Sequence, residues 1–68
     1  MKLIISQIDK KSKYLKAYAH NPDGSVATLE YNGGKITQRG YVDKALYFLF
    51  LEIINDYFPG GDNEVNGE

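Results

Sequence analysis

Residues 14 to 31 alternate between two sets of side chains around one turn signal, Asn21-Pro22-Asp23-Gly24. Pro suits the second position of a type I turn, Asp the third, and Gly supplies the positive φ of a bulge. Setting Asn21 opposite Ser25 pairs Ala19 with Ala27, Ala17 with Leu29 and Leu15 with Tyr31 on an apolar face. The other face then pairs His20 with Val26, Tyr18 with Thr28 and Lys16 with Glu30. A slip of one residue would mix the two sets, so the pattern itself argues for the register.

A second turn signal follows. Asn32-Gly33 is the preferred dipeptide of a two-residue type I′ hairpin. With it in the loop, Tyr31 meets Gly34, Glu30 meets Lys35, Leu29 meets Ile36 and Thr28 meets Thr37, and Glu30 becomes a charge clamp between Lys16 and Lys35. Gly34 leaves open a loop shifted to Gly33-Gly34. Residues 2–8, rich in Ile and Leu, read as a further strand. The turn after them, Asp9-Lys10-Lys11-Ser12-Lys13, has no glycine, so either Leu3 with Ile5 or Ile4 with Ile8 could face the core. The expectation is a four-stranded antiparallel β-meander.

From Tyr41 to Phe58 the apolar period becomes helical, with Gly40 as the expected cap, Asp43 in the first turn and Pro59-Gly60-Gly61 as the stop. At 100° per residue ten apolar side chains, from Leu49 round to Leu51, cover an arc of roughly 200°, about twice the stripe of an ordinary surface helix, and Ala45 and Phe48 share the remainder with the polar residues. The fold class expected is therefore α+β, one domain over residues 1–58, a four-stranded antiparallel β-meander followed by one C-terminal α-helix packed on one face. Residues 59–68 hold a single apolar side chain, Val65, and are expected to form a disordered acidic tail.

Composition adds a constraint. The chain has 68 residues, no Cys and one His, so disulfides are impossible and a structural zinc site has almost no ligands. Oligomerisation is the remaining support for so small a core. A homodimer is expected, with Tyr47, Phe48, Leu51, Ile54 and Phe58 at its helix-to-helix interface, because leaving them in water would make an uncommon apolar patch. The opening Met1-Lys2-Leu3-Ile4-Ile5-Ser6 turns polar too soon for a secretory leader, and no apolar run reaches the ~20 residues of a membrane span. Together with the lack of cysteine, this predicts a cytoplasmic protein without membrane contact.

Net charge is −1, but the signs segregate. Residues 1–44 carry eight basic against four acidic groups, and residues 45–68 carry five acidic groups and no base. The second strand places Tyr14, Lys16, Tyr18 and His20 on its polar side, with Arg39 and the loop residues Lys10, Lys11 and Lys13 extending the basic track. Tyrosines offer stacking surfaces to bases while lysines meet phosphates, so single-stranded nucleic acid is the expected ligand. No metal or cofactor is expected, and no enzyme. His20 flanks a turn, the carboxylates show no paired spacing, and Gly33-Gly34 lacks the Lys-Ser/Thr of a phosphate loop.

The element order over residues 2–58, four antiparallel strands and then one long helix, resembles the single-stranded-DNA-binding domains of the positive-cofactor-four and Whirly type. That resemblance implies pairing through helices and binding of single strands, and it carries over no site residue. The competing expectation is a small protein-binding module or phage-like inhibitor that docks on a host protein through its apolar helix face or a sheet edge.

Overall fold

The computed structural model describes residues 1–59. It has strands β1 (Lys2–Asp9), β2 (Tyr14–His20), β3 (Val26–Asn32) and β4 (Lys35–Arg39), followed by helix α1 (Lys44–Tyr57). The strands form one antiparallel sheet in the order β1-β2-β3-β4. This is the expected α+β meander with its helix on one face. Apart from Pro59, the expected acidic tail lies outside the described residues.

The β2–β3 hairpin has the register that its turn dictates, from Tyr14 opposite Asn32 to His20 opposite Val26. The Gly24 amide donates to the Asn21 carbonyl (3.0 Å), the Asn21 amide donates to the Ser25 carbonyl (2.9 Å), and Gly24 takes φ +92°. The Asp23 carboxylate accepts from the Ser25 hydroxyl (2.6 Å) and amide (2.9 Å), and these bonds hold its pKa below the ordinary aspartate value.

The β3–β4 turn departs from the Asn32-Gly33 expectation. Its two central residues are Gly33 and Gly34, at φ +59° and +103°, and Asn32 pairs with Lys35. Both positions need positive φ, which two glycines adopt without a Cβ penalty. The pairing moves by two positions along β3, so Ile36 stays on the core face but meets Tyr31, and Glu30 meets Thr37 instead of Lys35.

The two alternatives for β1 are both partly realised, because the strand carries a bulge. Ile5 pairs with Ala17 and Gln7 with Lys16, leaving Ser6 as the extra residue. The bulge switches the alternation. Leu3, Ile5 and, beyond Ser6, Ile8 all fall on the side of Ala19, Ala17 and Leu15, whereas Ile4 shares the opposite face with Tyr18.

The core forms between the sheet and α1. Leu15, Ala17, Leu29 and Phe50 are fully buried, and Leu46 and Ile54 complete the helix stripe at a spacing of four. Ala17, Ala19 and Ala27 make a low strip on the core face of the sheet, in the same cluster as Phe50. At the far end Phe58 stacks on Tyr31, with ring centroids 5.3 Å apart and planes at 25°. The helix packs chiefly on β1 and β2.

The helix begins later than the sequence pattern suggests. Asp43, not Gly40, is the N-cap, and its carboxylate accepts from the Ala45 amide (3.1 Å). Gly40 serves the approach instead: at φ +91°, a Cβ there would lie 3.3 Å from that of Ala27. Asn21 fixes the start. Its side-chain amide donates to the Tyr41 carbonyl (2.9 Å) and the Ser25 hydroxyl (3.0 Å), while its oxygen accepts from the Asp43 amide (2.8 Å). It is the one buried polar residue among those described.

Asn21→Ala is expected to destabilise the fold by about 1–3 kcal/mol, because the Tyr41 carbonyl and Asp43 amide lose their partner. Phe50→Ala should cost about 3–5 kcal/mol through the cavity it leaves. Urea unfolding measures both, and an Asn21→Ala midpoint equal to wild type would remove the clamp assigned to this side chain.

Candidate nucleic-acid interface

The face of the sheet opposite α1 is ordered by the strand registers into cross-strand rows. Ile4, Tyr18, Thr28 and Arg39 form one, Gln7, Lys16, Glu30 and Thr37 the next, and Asp9, Tyr14, Asn32 and Lys35 a third. Lys2, His20 and Val26 form a shorter row at the end of the sheet near Asn21. Lys16, Lys35 and Arg39 thus stand on this face, and Lys2 at its edge, with only Asp9 and Glu30 as acids; Glu52 and Asp56 lie on the helix, where Glu52 and Lys2 both border the groove between β1 and α1.

A shallow polar cavity of about 350 Å³ occupies the middle of this face, lined by Lys16, Thr28, Glu30, Thr37 and Arg39. Its size lies at the lower end of small-ligand sites. Tyr14, Lys16, Tyr18 and His20 are all half-buried along β2 beside it, and Arg39 is exposed on its far wall. The Lys16 ammonium lies 5.6 Å from the Tyr18 ring centroid, in cation–π range. Glu30 does not serve as a clamp between two lysines. Its carboxylate accepts from the Tyr14 hydroxyl at 2.9 Å. That bond raises the Tyr14 pKa, since ionising the phenol would lose the hydrogen bond and set two negative charges side by side.

The loop lysines diverge. The Lys10 ammonium reaches round to the helix side, 5.8 Å from the Tyr57 ring centroid, and so leaves the candidate interface. Lys11 and Lys13 are exposed at the loop, where the Lys11 amide donates to Asp9 (3.0 Å) and the Lys13 carbonyl accepts from Gly33 (2.9 Å). This last bond ties the β1–β2 and β3–β4 loops together at one end of the sheet.

The helix residues expected at a dimer interface also separate. Ile54 and Phe58 are 7% exposed and belong to the protomer's own core, where Phe58 stacks on Tyr31. Tyr47 and Leu51 are half-buried at its margin, and Phe48 is 57% exposed. Phe48 joins Leu49, Ala45 and Met1 along an open apolar groove of about 480 Å³ between the start of β1 and the N-terminal half of α1. Pattern reading had no means of bringing Met1 to Phe48, which are far apart in the chain.

Among the described residues no group of three His, Cys, Asp or Glu side chains converges as a metal site would need. No helix among them is long and apolar enough to cross a membrane. The fold and this face define a small sheet-plus-helix domain with one polar, tyrosine-bearing surface and one apolar groove. Comparison with protein families, curated proteins and solved structures finds no match to the chain, so the likeness to the positive-cofactor-four and Whirly arrangement is one of element order.

The Tyr14 phenol is expected to titrate above the ordinary tyrosine value, and Glu30→Gln should bring it back down. Carbon-13 shifts of the labelled tyrosine rings against pH follow this directly. A Tyr14 midpoint unmoved by the substitution would show that the Tyr14–Glu30 bond is absent in solution.

Proposed function

We propose that the protein is a small non-enzymatic binding module that works as a homodimer in the cytoplasm and takes single-stranded nucleic acid on its outer sheet face. The observation that carries this reading is the polar cavity beside the β2 row, where Lys16 and Arg39 flank two threonine hydroxyls next to the Tyr14 and Tyr18 rings. Stacking of bases on tyrosine is tolerant of sequence, and cations beside the rings meet the phosphates. Glu30 would repel a phosphate, so the backbone must track along Lys16, Arg39 and Lys35, with the carboxylate left to accept from base N–H groups. The rival reading, a module that docks on a host protein, draws on the groove at Met1, Phe48 and Leu49.

Fluorescence anisotropy with labelled single-stranded oligonucleotides at low salt tests the proposal. Tyr18→Ala should weaken binding by about 1–3 kcal/mol, the usual worth of one stacked base. Arg39→Gln should weaken all sequences alike and flatten the salt dependence by about one phosphate contact. No binding at low salt would overturn the nucleic-acid reading and leave the host-protein one.

A further inference from the structure

The sheet has two open edges of different character. The β4 edge is five residues long and carries Lys35, Gln38 and Arg39, charge and polarity of the kind that blunts an edge. The β1 edge is eight residues long, its Ile4 and Ile8 are about 40% exposed, and the groove at Phe48, Leu49 and Met1 lies beside it. A strand added there would continue the sheet and slide beneath the exposed helix strip.

The bulge at Ser6 and the charges at the two ends of β1 bear on which strand fits residue against residue. Along β1 the core-facing residues are Leu3, Ile5 and Ile8, and the outward ones are Lys2, Ile4, Gln7 and Asp9. A regular strand keeps its alternation in phase with β1 only by setting one residue against two at Ser6, as β2 does on the other side. A second β1 carries the same interruption. In the antiparallel twofold alignment that engages all eight residues, Leu3 meets Ile8 on the core face and Ile4 meets Gln7 on the outer face. Lys2 then meets Asp9 at both ends of the outer face. Every pair outside the Ile5–Ser6 centre shares a face, and the terminal charges are opposite.

Building on the proposed self-association, we infer that two copies join through antiparallel pairing of their β1 edges, Lys2 against Asp9, into one eight-stranded sheet. The two helices then lie on the same face with their Phe48 and Leu49 strips over the joined strands, and the outer surfaces run into one another. An isologous contact of this kind closes on itself and builds no filament.

Charge exchange tests the register with the full chain. Light scattering after size exclusion should give a mass near twice 7.7 kDa for the wild type. Lys2→Glu sets Glu against Asp at both ends, and Asp9→Lys sets Lys against Lys, so each variant alone should dimerise about tenfold less well. An equimolar mixture should recover wild-type affinity as a heterodimer, because each end then holds one acid and one base; an unfolded variant would not be rescued in this way. Phe48→Ser, at an exposed position, should also weaken the dimer while leaving the melting transition of the monomer in place. A wild-type monomer at high concentration would overturn both this inference and the self-association it rests on. A dimer indifferent to both charge variants, with no preference for the mixed pair, would overturn the β1 pairing alone.

Discussion

The side-chain amide of Asn21 ties the central hairpin to the segment that leads into α1. It sits at the tip of the central hairpin, yet it donates to the Tyr41 carbonyl and accepts from the Asp43 amide, some twenty residues on. A carboxylate could not supply the donor, and a hydroxyl is too short to span the two partners as an amide does. Buried as it is, the group is stabilising only because its donor and acceptor sides are both satisfied. Its consequence is positional. Asp43 is fixed as the N-cap, and from there the helical spacing delivers Leu46, Phe50 and Ile54 to the sheet.

The sheet is shaped to receive them. Alanines at 17, 19 and 27 lower the surface under the helix, and the bulkier Leu15, Leu29 and Tyr31 stand toward the other end. A well-packed interior tolerates few voids, so small side chains on the sheet and large ones on the helix, with Phe50 fully buried, must fill one core together. The helix lies over β1 and β2, and its N-terminal half leaves Phe48 and Leu49 beside the β1 edge. The arrangement that fills the core is thus the one that leaves the apolar groove open. On the reverse face period-two alternation leaves only polar and aromatic side chains across most of β2 and β3, which is where the cavity forms.

The candidate site was readable in the sequence as far as local geometry set it. The row Tyr14, Lys16, Tyr18 and His20 follows from strand alternation alone, as does the facing of Thr28 and Glu30 across the hairpin. Contacts between rows and loops were not readable. Glu30 turns to Tyr14, a diagonal partner, and Lys10 turns away to Tyr57 on the helix. Long side chains choose among several neighbours within reach, and the choice depends on elements that the pattern does not locate.

By itself the sequence determined the meander, the central register and the existence of a helix with more apolar surface than one small sheet can hide. Each of these rests on interactions between near neighbours: a Pro-Asp-Gly turn, alternation at period two, apolar residues at a helical period. The tertiary structure decided the rest. It moved the last turn onto Gly33-Gly34, where Tyr31 gains Ile36, and placed a bulge at Ser6 that carries Leu3, Ile5 and Ile8 to one side. It delayed the helix to Asp43 and drew Ile54 and Phe58 inward. For the helix start and for Phe58 the selecting contacts join residues distant in the chain, Asn21 with Asp43 and Tyr31 with Phe58, which no local pattern contains.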